Sequence, residues 1–197
     1  MHRIGIDEVG RGPIAGPVTV AAVALPAGTR LPRSLGPLRD SKQLSARARE
    51  AWAAWVRGTL PHAIARSSPG RIDVVGIVPC ANACALRAYR KVVSTTGEGP
   101  VRLDGGLYLG SRQRQEAYQA VTASRSDEDF PEVALASIVA KVARDRMMAR
   151  YHARYPAYAF DRNAGYGTRA HYEALERVGP CPLHRLTFLG ALGSISL

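Results

Sequence analysis

Residues 4–25 read IGIDEVGRGPIAGPVTVAAVAL, and this stretch decides how the rest of the chain is interpreted. The pattern predicts a strand over residues 3–9, a turn rich in glycine and proline over 10–17, and an apolar strand over 18–25. The two strands therefore form a hairpin-like opening whose connection has the composition of a functional loop.

An acidic pair lies inside the first predicted strand. Asp7 and Glu8 follow Ile4-Gly5-Ile6, an apolar setting where charge is costly unless the strand end is open or binds metal. The alternative is a strand that simply reaches the surface here. Adjacent residues of a regular strand point to opposite faces, so both carboxylates reach one site only if the strand twists or ends there. Asp7 is thus the safer ligand.

A third carboxylate ends another short apolar strand. Asp104 follows Val101-Arg102-Leu103 and precedes two glycines, a position at which open α/β sheets commonly place site residues. The alternative is an ordinary turn aspartate. Carboxylate oxygens suit Mg²⁺ or Mn²⁺, and two such ions ~3.5–4 Å apart can contact both the attacking and the leaving oxygen of a phosphodiester.

The remaining sequence alternates helical and extended patterns. The predicted elements are a helix capped by Ser45 and running to about Leu60, a short strand 71–77, a helix 79–94, a strand within 117–124, a long helix from Pro131 to about Arg154, and a short helix 171–178. Strands first, with helices interleaved and later massed, predict an α/β layer fold.

Composition limits the class of protein. The chain has 197 residues, 46% of them hydrophobic, which predicts one compact domain over residues 1–197. Its 27 Lys plus Arg against 16 Asp plus Glu give a net charge of +11, which favours nucleic acid or an anionic membrane surface as partner. Because no apolar run approaches a membrane span of roughly 18 residues and no signal-peptide core is present, we expect a cytoplasmic protein that does not associate with membranes. We also expect a monomer.

The glycine-rich turn and its flanks carry a resemblance to a known family. GIDEVGRGPIAGPV at 5–18 resembles the N-terminal signature of ribonuclease HII. Further matches follow in the family's order, namely DSK at 40–42, DG at 104–105, ASIVAKV at 136–142, RDR at 144–146, GYGT at 165–168 with His171, and HR at 184–185 with Phe188. The Gly-Arg-Gly form argues against the sister ribonuclease HIII, whose corresponding segment has Gly-Lys-Gly.

The resemblance implies a ribonuclease H-like fold. This is a mixed five-stranded sheet flanked by helices over about residues 1–155, with a helical C-terminal extension over about 156–197. It also implies four acidic site residues that bind metal, of which three map to Asp7, Glu8 and Asp104. The fourth stands ten residues before the serine of the Ala-Ser-Ile motif, which gives Asp127. Asp129 is the near alternative, because the segment around it departs from the family's usual Gly-Asp pattern.

The implied activity is endonucleolytic hydrolysis of the RNA strand of RNA/DNA hybrids, including cuts 5′ of single ribonucleotides embedded in duplex DNA. The implied mechanism uses two Mn²⁺ or Mg²⁺ ions and leaves 5′-phosphate and 3′-hydroxyl ends. In the family, the segment matching Gly10, Arg11 and Gly12 and the tyrosine matching Tyr166 read the junction between a ribonucleotide and the following deoxyribonucleotide. Glycines permit close approach to a 2′-hydroxyl, although they also serve a tight turn.

Several further residues are open to two interpretations. Lys42 is a candidate phosphate contact, and the cations of the long helix, Lys141, Arg144 and Arg150, either contact phosphates or form a solvated face. The family's lysine before Gly-Tyr-Gly is replaced by Ala164, which weakens one phosphate contact. His171 and His184 are expected to be structural, because two-metal hydrolysis requires no general-base histidine.

Two other functions compete with this interpretation. A non-catalytic protein that binds hybrids would be expected to have lost the carboxylates, which are present. A nuclease of the same fold that recognises only DNA would not need the Gly-Arg-Gly segment or Tyr166.

Overall fold

A computed structural model describes residues 1–39, 41–123 and 130–190. The strands are β1 (His2–Val9), β2 (Val18–Pro26), β3 (His62–Ser67), β4 (Val101–Asp104) and β5 (Ala120–Ala123). The α-helices are α1 (Ala46–Thr59), α2 (Pro69–Val75), α3 (Ile77–Thr96), α4 (Arg112–Gln115), α5 (Pro131–Arg154), α6 (Phe160–Asn163) and α7 (Arg169–Val178). Short 3₁₀ turns occupy Arg33–Leu35, Glu116–Tyr118, Pro156–Tyr158 and Leu186–Phe188.

The five strands form one mixed sheet in the order β3-β2-β1-β4-β5, as the resemblance implied. The hairpin β1–β2 and the pair β2–β3 are antiparallel, whereas β1–β4 and β4–β5 are parallel. Ile6 pairs with Leu103, so Asp7 and Asp104 follow at the ends of adjacent parallel strands. The fold therefore brings two of the predicted carboxylates to one edge of the sheet.

Each face of the sheet is covered by helices. On one face, Ile4 and Ile6 of β1 pack with the buried side of α3. On the other, Ala21 and Val23 of β2 pack with α1 and α5. A Cβ at Gly5 would lie 2.1 Å from the backbone carbon of Glu132, so glycine lets α5 lie directly across β1. This close approach places α5 beside Asp7.

The strand predicted over residues 71–77 is wrong, because residues 71–75 belong to α2, Gly76 is its C-cap and Ile77 begins α3. Ser68 caps α2 by accepting a hydrogen bond from the Arg71 amide, and Pro69 occupies the first turn. Gly76, with φ 92°, ends the helix. The β-branched residues suggested a strand, but the caps determine a helix. The strand missed by sequence reasoning is β3, just before the cap.

The C-terminal part forms a third apolar cluster, which includes Tyr158, Phe160 and Leu175 and packs against Met148 of α5. The helices expected beyond residue 155 are present as α6 and α7. Among the described residues no single helix is long and apolar enough to cross a membrane, although α2 and α3 together, bent by 118°, have the length and composition.

Candidate active site

Three predicted carboxylates line one cavity at the edge of the sheet. The cavity has a volume of about 330 Å³ and is lined by Asp7, Glu8, Val9, Ser41, Lys42, Asp104, Ser137, Lys141 and Tyr166. Asp7 and Glu8 are neighbours on β1 and both line it, at a point where β1 has passed Ile6, its last residue paired with β4. The parallel pairing with β4 thus stops just before the two carboxylates.

Asp7 is the most buried of the three carboxylates, with 5% of its surface exposed. Its Oδ1 accepts a hydrogen bond from the Glu8 amide at 2.6 Å. Burial raises the pKa of Asp7 well above its ordinary value, and the charges of Glu8 and Asp104 raise it further, whereas a hydrogen bond with Ser137 opposes the shift. Ser137 in turn lies 2.9 Å, oxygen to oxygen, from Ser41. Ser137 enters the sequence-based prediction only as part of the family motif, without a role at the site.

Glu8 combines one paired and one unpaired oxygen. Its Oε1 lies 2.9 Å from Nε of Arg11, whose Nη2 donates to the Gly106 carbonyl. Its Oε2 is buried and has no hydrogen-bond partner in the described part of the chain. Burial raises the pKa of Glu8 to about 7; Arg11 opposes this, and Asp104 adds to it. The site is therefore a buried, electrostatically strained group of anions.

The chemistry of these donors fits a divalent cation. Carboxylate oxygens are hard ligands, and a cation would relieve both the mutual repulsion and the unpaired Oε2 of Glu8. As they stand, no three His, Cys, Asp or Glu side chains within residues 1–39, 41–123 and 130–190 are grouped closely enough to bind a metal ion. Asp127 and its alternative Asp129 lie outside the described residues, as does Asp40.

Arg185, a fully buried residue, braces the glycine-rich loop from the protein interior. Arg185 donates hydrogen bonds to the carbonyls of Gly10, Arg11 and Gly16 at 2.6–3.0 Å. Burial, together with the positive charge of Arg144, lowers its pKa to about 10. The loop shape thus depends on a residue from the far end of the chain, which sequence reasoning did not single out.

Arg144 is a second internal brace. The prediction that it lies on a phosphate-contacting or solvated face of α5 is wrong, because the side chain is fully buried. It donates to the carbonyls of Ala15, Pro17 and Ala164 at 2.8–3.1 Å. Since these acceptors lie in two different loops, Arg144 fixes one against the other.

The two glycines of Gly-Arg-Gly differ in their surroundings. Gly10 has φ 89°, and a Cβ there would lie 2.3 Å from Nε of Arg144, so the turn itself requires glycine. At Gly12 a Cβ would meet only the Tyr166 ring, at an ordinary 3.8 Å. The turn explains Gly10, and open space in front of Gly12 agrees with close approach by a ligand.

Tyr166 lies at the mouth of the cavity with 48% of its surface exposed. Its amide donates to the Asn163 carbonyl at 2.9 Å, and its carbonyl accepts from the Thr168 amide and from Nδ1 of His171, both at 2.8 Å. The preceding Gly165 has φ 82° and packs against the Ala15 carbonyl. The backbone of Tyr166 is therefore fixed while its ring remains accessible.

The predicted cations divide into separate groups. Lys42 and Lys141 line the cavity, and Lys141 donates to Asp145 at 2.6 Å. Arg150 is exposed on α5, whereas Arg144 is internal. Ala164, at the family's lysine position, has φ 48° and contributes only its carbonyl to Arg144. The two lysines thus line the carboxylate cavity, and Arg11 also lies beside the carboxylates, because it pairs with Glu8.

Comparison with solved structures defines the class of fold. The chain superposes on the protein in a structure of the PCNA:RNase HII complex from Archaeoglobus fulgidus with a TM-score of 0.75, at 28% identity and 94% coverage of each chain. It also superposes on Bst-RNase HIII in complex with Mn²⁺ with a TM-score of 0.73, over 98% of this chain and 68% of that one; at 21% identity this likeness shows the fold alone. The expected ribonuclease H-like fold is confirmed.

Sequence comparison identifies the family. The family model for ribonuclease HII matches residues 4–191. The ribonuclease HII of Syntrophobacter fumaroxidans is 44% identical over 191 residues, which cover 96% of this chain and 77% of that protein. The chain belongs to the ribonuclease HII family and is accordingly a ribonuclease H enzyme.

Proposed function

We propose that this enzyme hydrolyses the RNA strand of RNA/DNA hybrids and also cuts 5′ of single ribonucleotides embedded in duplex DNA, leaving 5′-phosphate and 3′-hydroxyl ends. One observation carries the proposal: Asp7, Glu8 and Asp104 line a cavity that Tyr166 borders, with Gly12 beside the Tyr166 ring. Cuts at lone ribonucleotides suit ribonucleotide excision repair and DNA replication. The enzyme would act as a cytoplasmic monomer.

Asp7, Glu8 and Asp104, with Asp127 as fourth ligand, would bind two Mn²⁺ or Mg²⁺ ions. When bound, such ions supply activation of water and neutralise charge on the leaving oxygen. The chain's own contribution is to keep the carboxylates together at the ends of β1 and β4 and to fix Asp7 through Ser137. Lys42 and Lys141 on the cavity wall suit contacts with the phosphates of the substrate.

The Gly-Arg-Gly loop is suited to read the ribose. Arg185 takes no part in the chemistry, but from the protein interior it donates hydrogen bonds to the carbonyls of Gly10 and Arg11. In a trans peptide the following N–H points the opposite way, so the amides of Arg11 and Gly12 face away from Arg185. Neither amide donates to an acceptor among the described residues. Both therefore remain available to a 2′-hydroxyl, which distinguishes RNA from DNA.

The experiment that tests the activity is cleavage of a DNA duplex with one ribonucleotide, with and without Mg²⁺ or Mn²⁺. Cutting on the 5′ side of the ribonucleotide, only with metal, is expected. Binding without cleavage would favour the non-catalytic alternative, and cutting of an all-DNA duplex would favour a DNA nuclease.

Substrate choice should depend on Tyr166. Tyr166→Phe keeps the ring but loses the hydroxyl, and one hydrogen bond is worth about 0.5–1.5 kcal/mol, so we expect a several-fold slower cut at a lone ribonucleotide. Tyr166→Ala should cost more, because the stacking surface is lost as well. The measurement is the cleavage rate on a lone-ribonucleotide duplex and on a continuous hybrid, with Mn²⁺ titration of each variant. Parental rates, or a defect that disappears at high metal, would remove Tyr166 from the reading of the sugar.

The fourth ligand is tested by a matched pair of variants. Asp127→Asn should reduce cleavage far more than Asp129→Asn, because only a ligand position is sensitive to loss of charge at constant side-chain volume. Turnover of both variants on a continuous hybrid is compared at saturating Mg²⁺. The reverse order would assign the fourth ligand to Asp129.

A further inference from the structure

Two buried histidines lie directly behind Tyr166. His171 of α7 is 0% exposed and His184 is 3% exposed, and their Nε2 atoms are 3.0 Å apart. The Nδ1 atom of His171 lies 2.8 Å from the Tyr166 carbonyl oxygen. At the other end, the Cys181 amide donates to Nδ1 of His184 at 2.9 Å. The four groups form a continuous chain of hydrogen bonds that ends at Tyr166.

The direction of this chain follows from its Tyr166 end. The Tyr166 carbonyl can only accept, so the proton of the neutral His171 ring is on Nδ1 and its Nε2 is an acceptor. Nε2 of His184 therefore carries the proton of the His184 ring and donates to Nε2 of His171. This leaves Nδ1 of His184, which lies 2.9 Å from the Cys181 amide nitrogen and 3.2 Å from the Cys181 carbonyl oxygen, to accept from the amide. The reverse direction would place two acceptors, His171 Nδ1 and the carbonyl oxygen, opposite each other at 2.8 Å.

Both rings are neutral in this arrangement, and their surroundings favour that state. The rings of Tyr158 and Phe160 pack against both histidines. Burial lowers the pKa of His171, and it lowers the pKa of His184 to about 4. Near neutral pH each ring therefore has one donor and one acceptor nitrogen, as the chain of hydrogen bonds requires.

We propose that His171 and His184 are positioning residues for substrate choice, which fix the Tyr166 peptide through this directed chain and thereby set where the Tyr166 ring meets the sugar. This inference rests on the proposed function of Tyr166. The last donor in the chain, Nδ1–H of His171, is the group that touches the Tyr166 backbone, and the ring of Tyr166 leaves that backbone toward the carboxylate cavity.

Two substitutions at one position separate positioning from packing. In His171→Asn the amide nitrogen takes the place of Nδ1 and still donates to the Tyr166 carbonyl. In His171→Gln the amide reaches the place of Nε2 and meets His184, but nothing donates to the carbonyl. We expect His171→Gln to slow cutting at a lone ribonucleotide by about three- to tenfold relative to a continuous hybrid, whereas His171→Asn keeps the parental ratio within about twofold.

The control is the same pair of substitutions at His62, which also lies 2.9 Å, through Nδ1, from a backbone carbonyl, that of Leu60. His62 pairs with Val23, several residues along β2 from the loop end of that strand. Neither substitution there should change the substrate ratio. Melting temperatures of all four variants are recorded, because a merely structural role would lower stability and both cleavage rates together.

The outcomes distinguish this inference from the proposed function. If Tyr166→Ala changes the substrate ratio and His171→Gln does not, the positioning role is wrong while Tyr166 keeps its role. If Tyr166→Ala leaves the ratio unchanged, both are wrong. The ¹⁵N chemical shifts of the ring nitrogens provide a readout besides activity. Protons on Nδ1 of His171 and Nε2 of His184 are expected, and any other tautomers would overturn the directed chain of hydrogen bonds.

Discussion

Replacing Asp7 by Asn should abolish cleavage and, in the same protein, raise the stability of the metal-free enzyme. Loss of activity is expected because a proposed ligand is removed; outer partners of a metal typically contribute ~10–100-fold, so a ligand itself should contribute more than about 100-fold. The gain in stability is expected because Asp7 is buried beside the charges of Glu8 and Asp104. Asparagine keeps an oxygen to accept from the Glu8 amide.

The pH dependence of this gain follows from the sign of the pKa shift. A carboxyl whose pKa is raised in the folded state binds more protons folded than unfolded, so its charge destabilises the fold progressively as pH rises above the ordinary value of 3.8. The advantage of Asp7→Asn should therefore be small near pH 4 and grow toward pH 8. Burying a carboxylate costs on the order of several kcal/mol, and the hydrogen bonds with the Glu8 amide and Ser137 offset part of this cost, so a gain of about 1 kcal/mol or more is expected at pH 8.

Urea unfolding in the presence of a chelator, at several pH values, measures this effect. Asp161→Asn is the matched control, because Asp161 pairs with His152 at a partly exposed position outside the cavity. It should leave cleavage unchanged and show no gain that grows with pH. A metal-free Asp7→Asn protein less stable than its parent at pH 8 would contradict the strained state of the carboxylates.

Arg185→Met should cause a large loss of stability. The side chain is fully buried and donates to three backbone carbonyls of the Gly10–Pro17 loop. Each buried carbonyl left without a donor costs about 1–3 kcal/mol. The variant no longer buries a positive charge, but this gain offsets only part of the cost, so a net loss of about 3 kcal/mol or more is expected. Arg185→Lys should be intermediate, since an ammonium reaches fewer acceptors.

The control for this prediction is Arg146→Met, which removes an exposed arginine paired with Glu50. Surface pairs contribute about 0–1 kcal/mol, so the free energy of unfolding should change little. Denaturant midpoints compare the two variants, and cleavage of a hybrid reports the state of the loop. Equal losses at Arg185 and Arg146 would show that the loop does not depend on its internal donor.

Local sequence signals predicted much of the fold. The β1–β2 hairpin and the long helix α5 have the predicted type and nearly the predicted bounds, because alternation, Pro131 and apolar periodicity agree there. The helix after Ser68 was misread, since a β-branched run was weighed above a serine cap and a proline. The short strand β3 was missed for lack of a sustained pattern.

The site was predictable to the extent that function requires particular residue types. Asp7, Glu8 and Asp104 are conspicuous as charges at the ends of apolar strands, and they line one cavity. The assignment of Asp127 stays a prediction. Arg144 was misplaced because a charged residue on a helix is ordinarily exposed, and only tertiary structure reveals that backbone carbonyls surround it. No local sequence pattern predicts hydrogen-bond partners that come from distant segments of the chain.

Because Arg185 braces the Gly-Arg-Gly loop, this loop can fold only late in translation. Its guanidinium binds the carbonyl of Gly10 across 175 positions of sequence. A nascent chain emerging from the ribosome exposes the carboxylates of β1 early, but it cannot shape the Gly-Arg-Gly loop until Arg185 has been synthesised and has docked. Nuclease activity should consequently appear late in translation, so an incomplete chain that already contains Asp7, Glu8 and Asp104 stays harmless to the nucleic acids around it.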